Sequence, residues 1–160
     1  MEDFTKSVLN DFKVEKNEFT TFYEGVEGIK QVYLDTLTSK TRLFSILQPS
    51  DVEPELYKWL TTEYIQKRIE AKVEAYVVVS NDKKDESMTD YVNKSREELR
   101  ITHVIEPIGH PFETEIIIYD DKVAFIQYNP QHPLGAVLIK YKPIANTMRS
   151  MFLHFLWKSK

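Results

Sequence analysis

The run Val73-Glu74-Ala75-Tyr76-Val77-Val78-Val79-Ser80 constrains the fold more than any other stretch of this chain. Its β-branched residues fall at consecutive rather than alternate positions, the mark of a central strand buried on both faces. Such a strand needs a helical layer on each side. Helical periodicity is present on both flanks. Upstream, Leu56, Leu60 and Tyr64 recur every four residues behind Pro54 and acidic first-turn residues, predicting a helix to about Ala71. Downstream, Met88, Tyr91, Val92 and Leu99 mark a further helix.

The same alternation extends along the chain. Residues 18–24 read as a strand, and Val26, Ile29, Val32, Tyr33 and Leu37 place a helix over 25–38. Strands follow at 41–47 and 100–107, then Glu115 to Tyr119 and Lys122 to Tyr128 joined at Asp120-Asp121, then 136–141. Pro143 opens a last helix with Ile144, Met148, Met151, Phe152 and Phe155 in one stripe. The order β-α-β-α-β-α-β-β-β-β-α predicts a single α/β domain whose mixed, mostly parallel sheet is flanked by helices, its parallel pairs arising from crossovers and its antiparallel edges from the hairpin. Residues 1–17 carry Phe4, Val8, Leu9 and Phe12 at helical spacing and read as an extension or the end of a linker.

Composition narrows the function class. With 42% hydrophobic and 29% charged residues the chain is globular, and no apolar run approaches bilayer length. The N-terminus is acidic and lacks the apolar core of a secretory signal. The absence of cysteine excludes disulfides and thiolate sites and suits the cytoplasm. A net charge of -4 argues against this chain binding DNA directly. His103, His110, His132 and His154 have no ligand spacing, so neither a metal nor a cofactor is expected. The Gly25-Val26-Glu27-Gly28 run carries an acidic residue where a phosphate loop wants cations, and reads as a strand-to-helix turn.

Residues 112–128 carry a resemblance. Their hydrophobic pattern and Ala124-Phe125-Ile126 are similar to the phospholipase D motif, which places a histidine, a lysine two residues on and an aspartate five further. In this chain those positions hold Glu113, Glu115 and Asp120, and on a strand the two glutamates share a face. Without the attacking imidazole and its cation, phosphodiester chemistry is not expected, and the chain reads as a non-enzyme with no catalytic residue.

A broader resemblance covers residues 19–158. "FYEGVEGIKQVYLDTL", "DVEPELYKWLTTEYIQKRIEAKV", "SREELR" and the closing hairpin, strand and helix resemble the C-terminal effector domain of TrmB-family transcriptional regulators, which has a degenerate phospholipase-D-like fold. The resemblance implies a domain over 18–160 that acts as a regulatory sensor and dimerisation module, as a fragment or a stand-alone effector domain without its winged helix. The alternatives are an enzyme reusing Glu113, Glu115 and Asp120 as a carboxylate cluster, or an interaction domain whose glutamates face solvent. An unknown small-molecule effector or protein partner is expected, with a ligand site at the carboxyl ends of the parallel strands; the residues there are Gln48, Ser80, Asn81, His103, Glu113 and Glu115. Leu153, Leu156 and Trp157 add apolar surface beyond one stripe on the last helix, which predicts a homodimer.

Overall fold

Val77, Val78 and Val79 are 3%, 0% and 0% exposed, so the β-branched run is covered on both faces as its composition requires. The computed structural model describes residues 18–80, 86–94, 96–106 and 109–157; the N-terminal extension and Asn81 lie outside them. Among the described residues seven strands form one sheet: β1 (Thr20–Glu24), β2 (Leu43–Leu47), β3 (Ala75–Ser80), β4 (Arg100–Ile105), β5 (Glu115–Tyr119), β6 (Lys122–Gln127) and β7 (Gly135–Lys140). Their order across the sheet is β1-β7-β6-β5-β2-β3-β4.

The sheet is mixed, but parallel pairs are the minority. Only β2–β3 and β3–β4 run parallel, and the other four neighbouring pairs are antiparallel. The expectation of a mostly parallel sheet fails for two reasons. Tight connections from β5 to β7 force a meander, and β1 pairs with β7 instead of standing beside β2. The first helix therefore carries the chain across three intervening strands.

Three helices cover one face: α1 (Gly25–Thr36), α2 and α3 (Glu86–Asn93). In α2, α-helical Pro54–Trp59 passes into a π-helical turn, Leu60–Tyr64, and returns to α-helix over Ile65–Glu70. Glu53 caps its start, accepting from the Leu56 amide at 2.7 Å, with Pro54 in the first turn. Leu99, expected within the third helix, instead lies beyond it with φ +50 and leads into β4. The opposite face is covered by α4 (Lys142–Met151) and its π-helical continuation Phe152–Trp157, whose Ala145 and Phe152 pack on Phe44, Val78, Ile118 and Val123.

The two glycines of the GxxG stretch have separate mechanical reasons. Gly25 turns the corner from β1 into α1 at φ +69, a conformation glycine adopts without a Cβ penalty. Gly28 lies against Tyr23, whose carbonyl carbon would stand 3.0 Å from an added Cβ. The strand-to-helix turn expected from this stretch is what the structure contains. Among the described residues, no helix is long and apolar enough to cross a membrane.

Candidate functional site

The first residue of β5 is a glutamate facing inward. Glu115 is 4% exposed and lies on the helix-covered face among Leu47, Val77, Ile117 and Tyr33. The Ser45 hydroxyl on β2 donates to one carboxyl oxygen at 2.6 Å, and the Tyr33 hydroxyl on α1 donates to the other. Burial drives the carboxyl up to about 7, a rise that these two hydrogen bonds partly oppose. Burial together with the neighbouring Glu115 also raises Tyr33 well above the ordinary tyrosine range.

A cavity of about 70 Å³ opens beside this group, between the sheet and the helices. The π-helical turn contributes Leu60 and Tyr64 to its wall. Tyr64 is pushed up to about 12 by burial and shares a 2.7 Å hydrogen bond with Thr36. The Tyr33 and Tyr64 rings lie 5.0 Å apart. Two arginines line the cavity, and both are largely engaged. Arg68 donates to the carbonyls of Val73 at 2.7 Å, Leu99 at 3.3 Å and Glu98, and its burial lowers its pKa. Arg100 pairs with Glu98 at 3.1 Å, donates to the Tyr91 carbonyl and stacks 3.5 Å from the Tyr91 ring centre; its Nε has no hydrogen-bond partner among the described residues.

The residues singled out in the sequence do not converge. Glu113 precedes β5 and is exposed, so the two glutamates do not share a strand face and only Glu115 belongs to the cavity. Asp120 sits at the β5–β6 turn with φ +44, about 16 Å along the strand from Glu115. Its carboxylate accepts from the amides of Lys40 at 3.0 Å and Thr41 at 3.1 Å and from the Ser39 hydroxyl, which pins the hairpin to the segment before β2. The degenerate motif is therefore split into a buried acid, an exposed acid and a turn clamp. Gln48 and Ser80 are buried at the carboxyl ends of β2 and β3, outside the cavity wall. The Gln48 backbone N–H donates to the Tyr128 hydroxyl at 2.9 Å, its Nε2 donates to Ser50, and its Oε1 has no hydrogen-bond partner among the described residues. His103 packs 5.7 Å from Trp157 in the α4 layer, across the sheet from Glu115. Among the described residues, no group of three or more His, Asp or Glu is placed to hold a metal ion.

Tyr33, Ser45, Tyr64, Arg68, Tyr91 and Arg100 form a group in the fold that no motif in the sequence marks. Two signals were available. Ser45 interrupts the apolar strand Leu43-Phe44-Ser45-Ile46-Leu47, and Arg68 continues the four-residue series Leu56, Leu60, Tyr64 as a charge on a buried stripe.

No family model matches the chain, and no curated protein matches it. Solved structures do. A structure of TrmBL2, described as an archaeal chromatin protein with a novel mode of DNA binding, matches 98% of this chain and 59% of its own, at 11% identity and a TM-score of 0.57. Phosphatidylserine synthase from Haemophilus influenzae Rd KW20 matches 87% of this chain and 37% of its own, at 12% identity and a TM-score of 0.64. Polyphosphate kinase from Porphyromonas gingivalis matches 84% and 25%, at 8% identity and a TM-score of 0.55. The fold is phospholipase-D-like. The chain spans from a quarter to about three-fifths of the length of these structures.

The expectation that the chain is not an enzyme is thereby corrected. Two of these three similar structures are enzymes, whereas the exclusion rested on the missing imidazole and cation at the Glu113 and Glu115 positions. In the fold these two acids are separated, and burial raises the Glu115 carboxyl to about 7, in the range useful for proton transfer.

Proposed function

We propose that this chain is a ligand-sensing and dimerisation module of a TrmB-like regulator, with the Glu115 cavity as its sensing site. The observation that carries the reading is a buried, ionisable carboxyl opening into a cavity walled by three separate helices. Tyr33 comes from α1, Tyr64 from α2 and Tyr91 from α3, so a bound molecule touches the whole helical layer. A ligand that binds one arrangement of that layer better than another shifts the population between them. The π-helical turn in the wall supports the reading, because such turns recur at functional sites. The likeness to TrmBL2 over 98% of the chain supports the regulatory context.

The dimerising surface in this reading is the outer side of α4 and its continuation, where Ile144, Met151 and Leu153 are 39%, 48% and 37% exposed. Trp157 has an in-chain partner, stacked on Tyr76 with ring centres 4.7 Å apart. The interface therefore rests on Leu153 and its exposed neighbours.

A metabolite screen by thermal unfolding, run on the protein and on a cavity-filling Val77→Leu variant, level with Ser45, tests the sensing role. The expected result is a ligand that raises the melting temperature by several degrees in the parent only. Binding that persists unchanged in the filled variant would move the site elsewhere.

The titration range of Glu115 favours a second reading, a phospholipase-D-like enzyme in which this carboxyl transfers a proton. Turnover of a phosphodiester that falls by a factor on the order of 100 or more in Glu115→Gln would replace the sensing role with catalysis.

A further inference from the structure

We propose that the Glu115 end of the cavity takes a small cation carrying N–H donors, ammonium or a short primary amine. This inference rests on the reading of the cavity as a ligand site and specifies the chemistry of its occupant.

Buried glutamates are ordinarily paired with a cation, because an isolated buried charge is costly. Glu115 has no such partner among the described residues. Both carboxyl oxygens accept from hydroxyls, one from Ser45 and one from Tyr33, which is the geometry of an acceptor-only carboxylate. A carboxylate offers about four lone-pair sites, so acceptor capacity remains for a further donor.

The two arginines of the cavity do not supply that donor. The register places Arg100 level with Ala75 and Leu43, whereas Glu115 stands level with Leu47. Their Cα atoms are thus three strand spacings and four residues apart, on the order of 20 Å. Arg68 is held by three backbone carbonyls at the far end, and Arg100 is balanced by Glu98. Between the ends lie Tyr64 and Tyr91, whose burial raises their pKa values and keeps them neutral. With Tyr33 they put three aromatic rings in the cavity wall, and such rings attract a cation. The cavity volume of about 70 Å³ sets the size. An apolar cavity of about 150 Å³ holds benzene, so this one suits a molecule of up to about four non-hydrogen atoms.

The charge balance makes the proposal distinctive. Near neutrality Glu115 is partly protonated, and a bound ammonium stabilises its ionised form. The exchange is Glu115–COOH + RNH3+ → Glu115–COO−·RNH3+ + H+, so binding releases protons.

Thermal unfolding at about pH 8 with ammonium, methylamine and ethylamine, against potassium chloride and acetate at matched ionic strength, is the test, joined to calorimetry near neutral pH in two buffers of different ionisation enthalpy. The expected result is a saturable rise in melting temperature with the amines alone, net proton release, and loss of both in Glu115→Gln, whose fold is checked by circular dichroism. An equal amine response in Glu115→Gln, or binding without proton release, overturns the assignment. Binding of acetate in place of amines, abolished by Val77→Leu, overturns the cation and leaves the sensing reading intact. If neither class binds and the metabolite screen is also empty, both fall.

Discussion

Glu115 enters the interior with two hydroxyl donors and, among the described residues, no cation, so its ionisation is coupled to folding. The folded protein holds this proton to about pH 7, against an ordinary value of 4.5. Its stabilising contribution is complete below the unfolded value and is lost as pH rises through the folded one. That gap corresponds to roughly 3 kcal/mol. Chemical unfolding of the parent between about pH 5 and 8 should therefore show stability falling relative to Glu115→Gln, whose side chain cannot ionise. Taking the difference between the two proteins removes the contribution of the histidines. A flat difference across that range would mean that Glu115 is hydrated in solution. The sequence marks this position only as an acid two residues from another. The hydroxyls that define its state lie 70 and 82 residues away.

At the scale of elements, most of the helical layer follows from local pattern, and its joints depend on single side chains. Arg68 ends α2 and ties it to the entrances of β3 and β4 through the carbonyls of Val73, Glu98 and Leu99. Replacing it with alanine leaves those carbonyls short of a charged donor in a buried setting. The expected cost is about 3 kcal/mol, read as a lower urea midpoint with an unchanged slope. Gly25→Ala acts at the other end of the layer. Its φ of +69 has room for a Cβ, so the cost is conformational strain of roughly 1 kcal/mol without a packing clash. A loss several times larger would indicate that the β1–α1 corner moves. Helix positions were legible because a 3.6-residue stripe records which face is inward. The π-helical turn was not, because one extra residue per turn barely disturbs that stripe over Leu60–Tyr64.

For the whole molecule, the exposed Ile144, Met151 and Leu153 lead to an assembly prediction. Light scattering should give twice 18.9 kDa, and Leu153→Glu should return the single-chain mass without altering the unfolding midpoint of the monomer. A parent at 18.9 kDa at micromolar concentration would rule out the dimer. The order of strands and helices was determined by the sequence itself, since period-2 and period-3.6 patterns are properties of neighbouring residues. So were the two-sided burial of Val77–Val79 and the corner at Gly25. Strand adjacency was decided only by the tertiary structure. Nothing local in Thr20–Glu24 says that it pairs with Gly135–Lys140, or that β5 slots beside β2 and runs against it. That same adjacency brings Ser45 onto Glu115 and sets the Cα of Arg100 on the order of 20 Å from that of Glu115, turning an acid in a sequence into a buried carboxyl without a cation among the described residues. Side-chain periodicity encodes a face, whereas pairing across a sheet depends on residues far apart in the chain, and a site assembled from several separate elements takes its chemistry from that pairing.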